Sequence, residues 1–246
     1  MEVARTIRDS VQAVGQLHRQ AAADPALAGA LAAVKRLQSR RFTGTYADFL
    51  RSGTFGPAAR FFLEELYGDQ DFARRDEQFG RIAGAIETLF PALVARTAAA
   101  AAELHALTED LDLGLARQWA SVGPAVPDRS RYAAAWRALG REPDRREQLA
   151  RVLALGRELA RLARMPGLRT MLRLMRAPAT AAGLQDLQRF LERGLDTFSG
   201  MARQRGAVEA FLDALQQREA HWLDLLFGPD PAACERELEH TLGQVP

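Results

Sequence analysis

Hydrophobic residues recur at helical spacing along the whole chain, and no stretch shows the strict alternation of a half-buried β-strand. Alanine is abundant, β-branched residues are few, and only 7% of the residues are aromatic, which favours closely packed helices over sheets. A chain of 246 residues is long enough to bury a sizeable core. The sequence therefore predicts an all-α fold, a single-domain multi-helix bundle of about ten helices.

Prolines and glycines predict where the helices begin and end. Asp24 before Pro25 is typical of an N-cap followed by proline at the first helical position. Residues 121–128 contain two prolines and a glycine, which exclude a continuous helix there. We expect one domain over residues 1–246, with a subdivision near 121–128 left open. The predicted helices cover approximately residues 3–22, 25–40, 46–50, 57–68, 71–90, 91–119, 130–139, 144–165, 167–176, a short stretch from 178, 183–199, 206–227 and 231–241.

The charge balance and the single cysteine exclude several classes of protein. The net charge is +2, and Lys35 is the only lysine, so positive charge comes almost entirely from arginine. Such a balance does not indicate nucleic acid as a partner. Cys234 alone excludes a disulfide framework and a cysteine-rich zinc site. The absence of a transmembrane-length apolar run and of a signal-peptide core leads us to expect a cytoplasmic location.

Two neighbouring predicted helices each direct one charge into their apolar face. At about 100° per residue, Glu65 lies between Phe61 and Phe62 on the helical wheel. Arg75 lies inside the apolar stripe of the next helix. Since an isolated buried charge is costly, these positions predict a Glu65–Arg75 ion pair, with Asp76 as a second acceptor. The pair either fixes the packing of two helices or lines a ligand pocket, whose residues would be Phe61, Phe62, Glu65, Phe72, Arg75 and Asp76.

A second acid is also predicted to face inward. Glu219 falls within the apolar arc that includes Phe211 and Leu215. It repeats the pattern of Glu65, and the two acids are predicted to join one internal polar network with Arg75.

The stretch that contains Glu65 and Arg75 has a recognisable signature. Residues 61–79 resemble the signature of an uncharacterised proteobacterial family named for its FFLEELY motif. The resemblance implies a soluble helical bacterial protein without an assigned activity, and it transfers no catalytic residue. It spans most of the chain and extends to residues 102–109, Asp112, residues 172–176, residues 182–184 and residues 218–219.

His105, Glu109 and Asp112 form a second candidate group. Their i, i+4, i+7 spacing places them on one helix stripe, and histidine with carboxylates suits a hard metal ion. Bundle metal sites usually need a Glu-x-x-His pair from each of two helices, whereas this chain has that spacing only at Glu237 and His240. The simpler interpretation is a histidine bonded to Glu109 or to a neighbouring helix. The metal site stays as an alternative, in a haem-oxygenase-like or ferritin-like enzyme.

Two arginine ridges share an i, i+4, i+7 spacing opposite apolar residues. They predict either a solvated face or a surface for anionic partners. Interleaved aromatic residues, which would stack on bases, are missing. The ridges consist of Arg157, Arg161 and Arg164, and of Arg169, Arg173 and Arg176.

The chain has no phosphate-binding glycine loop, no G-x-S-x-G elbow and no dinucleotide fingerprint. We therefore expect a non-enzymatic helical protein that binds a small amphipathic ligand or a partner protein, without a cofactor. The alternatives are the helical metalloenzyme centred on His105 and Glu109, and an adaptor that binds anionic partners through the arginine ridges. The oligomeric state does not follow from the sequence.

Overall fold

The computed structural model describes residues 2–65 and 73–245, without the side chains of residues 62, 64, 65, 73–76 and 89. Thirteen α-helices and no strands are found in these residues, which confirms the predicted all-α fold. In chain order they are α1 (Glu2–Ala22), α2 (Pro25–Thr45), α3 (Ala47–Arg51), α4 (Gly56–Glu65), α5 (Ala73–Leu89), α6 (Ala92–Ser121), α7 (Asp128–Leu139), α8 (Glu142–Ala163), α9 (Leu168–Leu174), α10 (Arg176–Ala181), α11 (Gln185–Ala202), α12 (Ala207–Phe227) and α13 (Pro231–Leu242).

Most predicted boundaries follow local chemistry. The Asp24 carboxylate caps α2, accepting hydrogen bonds from the backbone N–H groups of Ala26 at 2.9 Å and Leu27 at 3.3 Å. The connection between α6 and α7 falls at the predicted break. The predicted helix end at Gly68 and cap at Asp71 lie outside the described residues.

Two predicted boundaries are wrong. Helix α2 continues to Thr45 instead of ending near Arg40, because Arg41 and Phe42 are buried against other helices and the continued helix places them there. The helix predicted over residues 167–176 ends at Leu174, as α9, and the helix predicted from Pro178 begins earlier, at Arg176, as α10. Pro178 lies within the first turn of α10, where a backbone N–H has no intrahelical partner and its loss costs little.

Helix α6 is the centre of the bundle, with α1, α2, α7 and α8 packed against it. Helix α12 packs on α8, and α13 packs on α2 and α7. The buried residues form three clusters. Ile7, Ala83 and Ile86 belong to the one between α1, α5 and α6. The other two are larger, and each takes residues from both α2 and α12. One is built around Leu115, Trp119, Tyr132, Trp136 and Trp222, and the other around Phe42, Tyr46, Phe49, Phe198 and Phe211.

The helices before and after residues 121–128 are tied together. Arg131 of α7 donates a hydrogen bond to the carbonyl oxygen of Trp119 at 3.0 Å, and its guanidinium lies 4.4 Å from the centre of the Trp119 ring. Helices α2 and α13 approach so closely that a Cβ atom at Gly44 would overlap the Thr241 backbone. The extent of the domain, residues 1–246, stays a prediction. No helix in the described part of the chain combines the length and apolar character needed to cross a membrane.

Candidate functional site

A two-point ion pair joins α2 to α12 in the core. Arg41 Nη1 donates to Glu219 Oε1 at 3.1 Å, and Arg41 Nη2 donates to Glu219 Oε2 at 2.8 Å. The Tyr46 hydroxyl donates to the same Oε1 at 3.0 Å. Burial alone would lower the pKa of Arg41, but the adjacent Glu219 carboxylate outweighs it and raises that pKa, so the guanidinium stays charged. Glu219 thus faces inward as predicted, and the partner that the structure describes is Arg41.

A second ion pair lies between α8 and α6. Arg145 Nη2 donates to Asp112 Oδ1 at 2.9 Å, and their side chains are only 4% and 7% exposed. Arg145 Nη1 donates to Gln148 Oε1 at 3.0 Å, and the Gln148 amide donates to the Thr108 hydroxyl at 2.8 Å. The Gln38 amide of α2 donates to Asp112 Oδ1 at 3.1 Å. Hydrogen bonds therefore offset much of the cost of burying both charges.

Both buried guanidiniums also lie against indole rings. The Arg41 guanidinium carbon is 5.2 Å from the centre of the Trp222 ring, and that of Arg145 is 4.5 Å from the centre of the Trp136 ring. Such cation–π contacts stabilise a cation that is buried away from water. They also fix the plane of each guanidinium, and so the direction of its N–H groups.

Glu109, one turn before Asp112 on α6, has its own cationic partners. His18 Nε2 lies 3.1 Å from Glu109 Oε2, and Lys35 Nζ donates to Oε1 at 2.6 Å. Burial alone would raise the pKa of Glu109, but these two partners, and to a smaller extent an electrostatic contribution from His105, lower it to about 2. The histidine bonded to Glu109 comes from α1, while His105 acts on it through charge.

The metal alternative requires His105, Glu109 and Asp112 to act together. Within residues 2–65 and 73–245, no three His, Cys, Asp or Glu side chains come together in a way that could hold a metal ion. Glu109 and Asp112 face separate partners, His18 with Lys35 and Gln38 with Arg145. A metal site on these residues stays an alternative drawn from the sequence alone.

The two ion pairs border a cavity of about 60 Å³ between α2, α6, α8 and α12. Its lining divides into a polar part and an apolar part. The polar part comprises Gln38, Arg41, Thr108, Asp112, Arg145, Gln148 and Glu219. The apolar part comprises Phe42, Trp136, Leu149, Val152, Leu215 and Leu223.

Buried polar atoms beside this cavity lack a hydrogen-bond partner among the described residues. They include the Nε atoms of Arg41 and Arg145. Burial raises the pKa of Tyr132 against the opposing positive charges of Arg41 and Arg145, so the phenol is neutral. Buried donors without acceptors are uncommon in folded proteins, and their clustering marks this region as a candidate binding site.

Little of the pocket predicted at residues 61–76 lies within the described side chains. Phe61 is buried, stacks on Phe190 of α11 at a ring-centre distance of 5.6 Å, and packs against Gly194. The side chains of Phe62, Glu65, Phe72, Arg75 and Asp76 lie outside the described residues. The Glu65–Arg75 ion pair therefore stays a prediction.

Half of the arginines in the predicted ridges are paired with acids among the described residues. Arg161 pairs with Glu158 at 2.6 Å, and Arg176 pairs with Glu192 at 2.7 Å. Arg169 pairs with Asp196 of α11 at 2.6 Å. Half of the ridge arginines thus have a carboxylate partner, which reduces the charge that these faces present.

Sequence reasoning missed the basic partners in the core. Arg41 lies seven residues after Val34 and four after Leu37, both buried, so the apolar spacing of α2 runs through it. Arg145 lies four residues before Leu149 and seven before Val152, so the apolar spacing of α8 runs through it as well. The same helical-wheel test that singled out Glu219 would have found both arginines.

A comparison with protein families places this chain in a known family. The model of a domain of unknown function, DUF8198, matches residues 17–233, and the chain belongs to this family. The matched range includes both ion pairs and the cavity. No curated protein and no solved structure matches the chain significantly.

Proposed function

We propose that the protein is a non-enzymatic binding protein that holds a small amphipathic molecule in the cavity between α2, α6, α8 and α12. The two-part lining of this cavity supports the proposal. Ion-paired guanidiniums and amides line it together with aliphatic and aromatic side chains. Binding sites for small molecules combine apolar walls with a few polar groups in this way.

The unpartnered donors indicate the polar part of the ligand. Arg41 Nε and Arg145 Nε are both N–H groups, so an acceptor oxygen is the complementary group. The lining contains two arginines and two acids, so its formal charge is zero and a neutral ligand needs no counter-charge. An alcohol, ester or amide oxygen with a short apolar chain fits these requirements.

The volume limits the size of the ligand. A site for one water-sized group needs roughly 10–15 Å³ of cavity volume. A cavity of about 60 Å³ therefore holds about four to six small groups without rearrangement. We expect a short molecule rather than a long-chain lipid or a nucleotide.

Native mass spectrometry of the protein isolated from its source cells, compared with the denatured mass, tests the proposal. The expected result is a non-covalent increment that Val152→Phe, which fills the cavity, removes. Leu155→Phe is the matched control, because Leu155 lies on the same helix and does not line the cavity. A native mass equal to the chain alone, or an increment retained by Val152→Phe, would contradict the proposal.

The pocket predicted from the sequence is a separate proposal, and the same measurement tests it. An increment that survives Val152→Phe but is lost in Arg75→Ala would favour the pocket formed by Phe61, Phe62, Glu65, Phe72, Arg75 and Asp76. Binding of a partner protein stays a prediction.

A further inference from the structure

A second cleft lies where the carboxyl ends of α8 and α11 meet the beginning of α9. Its volume is about 330 Å³, at the lower end of the roughly 300–1,000 Å³ typical of small-molecule pockets. Leu162, Met165, Leu195 and Ala202 supply apolar surface. It shares no lining residue with the core cavity.

Three arginines border this cleft: Arg164, Arg169 and Arg203. Arg169 pairs with Asp196, and its buried Nε has no hydrogen-bond partner among the described residues. Arg164 and Arg203 are exposed, and neither forms an ion pair with an acid in the described part of the chain. Counted over the described residues, three guanidiniums against one carboxylate leave an excess of two positive charges at this cleft.

Some arginines near the cleft are neutralised by acids instead. Arg161, one turn before Arg164 on α8, pairs with Glu158, and Arg176 pairs with Glu192. In the core cavity, too, each guanidinium faces a carboxylate. The cleft therefore joins an apolar surface to two guanidiniums, those of Arg164 and Arg203, for which the described residues supply no acidic partner. Guanidinium N–H groups bind carboxylate and phosphate oxygens well.

We propose that the cleft between α8, α9 and α11 binds a single-chain amphiphile with an anionic head group, either a carboxylate or a phosphate. The head group contacts Arg164, Arg169 and Arg203, and the chain lies against Leu162, Met165 and Leu195. This site is separate from the core cavity and does not depend on the function proposed for it.

Isothermal titration calorimetry on the full chain, with four probes, tests this proposal. Octanoate and octyl phosphate carry both head and chain, octanol carries the chain alone, and inorganic phosphate carries the charge alone. At least one of the first two should bind about tenfold more tightly than octanol and phosphate, because both parts of the cleft contribute. The tighter of the two identifies the head group. Equal binding of octanol or of phosphate, or no binding of either amphiphile, would overturn the proposal.

Charge reversal locates the site. Arg164→Glu and Arg203→Glu should each weaken binding of the tighter amphiphile by about tenfold or more, because each replaces an attraction with a repulsion. Both side chains are exposed, so the fold should survive. Arg157→Glu is the matched control, since it makes the same change at an exposed position of α8 outside the cleft. An equal loss in the control would show a general effect of net charge and overturn the assignment.

Discussion

Arg41 and Glu219 form a two-point ion pair between residues 178 positions apart in sequence. Both oxygens of the carboxylate are engaged by the guanidinium, and one of them also accepts the Tyr46 hydroxyl. The guanidinium in turn lies against Trp222, whose indole N–H donates to the Thr45 hydroxyl at 2.9 Å. The end of α2 is therefore held to α12 by an aromatic contact and by hydrogen bonds with defined directions.

Removal of one member of this pair should destabilise the fold more than removal of both members. Glu219→Leu leaves Arg41 charged and buried, and we expect it to lower the free energy of unfolding by about 3–5 kcal/mol. The double variant Arg41→Met, Glu219→Leu removes both charges and should recover most of that loss. Urea unfolding followed by circular dichroism measures both values. A double variant less stable than Glu219→Leu alone would show that the unpaired charge is not the main cost.

Glu109 should make the protein sensitive to acid in a defined range. Its pKa in the folded state is about 2, below the ordinary value of 4.5, so its stabilising contribution is complete above pH 4.5 and is lost as the pH falls toward 2. The shift corresponds to about 3 kcal/mol. Glu109→Gln should therefore be less stable than the wild type at pH 7, and the difference should shrink between pH 4.5 and pH 2.

Unfolding free energies measured across this pH range check the prediction. Glu103→Gln is the control, because Glu103 is an exposed acid on the same helix. If the difference between wild type and Glu109→Gln stays constant with pH, the low pKa of Glu109 is refuted.

Two glycines of α2 should respond in opposite ways to alanine. Gly29 has open space where a Cβ atom would lie, so Gly29→Ala should stabilise the protein by about 0.5–1 kcal/mol through helix propensity. At Gly44 the same atom would overlap the Thr241 backbone, so Gly44→Ala should destabilise by about 1–3 kcal/mol. Thermal unfolding compares the two variants directly. Equal effects at both positions would mean that α2 and α13 are not in close contact there.

Cys234 should be chemically inert in the folded protein. Its side chain is fully buried in the cluster around Trp136, and this burial raises the pKa of the thiol to about 11. Thiolate is the reactive form, so little of it exists at pH 8. Ellman's reagent at pH 8 should leave the native protein unmodified and should titrate one thiol in guanidinium chloride. Rapid modification of the native protein would show that this cluster opens readily.

Local chemistry explains which features of the fold could be predicted. The cap at Asp24 and the break at residues 121–128 depend on a few adjacent residues, and the structure agrees with both. The end of α2 could not be placed by the same means. Its last turn is held by partners on α12, among them Glu219 and Arg218, that are distant in sequence.

The presence of inward-facing charges at the candidate site was predictable from the sequence, but the partner of each charge was not. The apolar spacing around Glu219 correctly predicts an inward-facing acid, and the same spacing around Arg41 identifies an inward-facing base. Helical periodicity gives the face of each helix but not which helix lies opposite. The assignment of Glu219 to Arg41 therefore required the arrangement of α2 against α12.

The separation of Arg41 from Glu219 has a consequence for folding during synthesis. A ribosome that has released α2 has not yet made the acid that neutralises Arg41, and Asp112 likewise emerges before Arg145. Contacts between residues far apart in the chain form late, because their loops are costly to close. The nascent chain must therefore keep these charges hydrated until α8 and α12 have been synthesised. The core around Arg41 and Asp112 cannot exclude water before then.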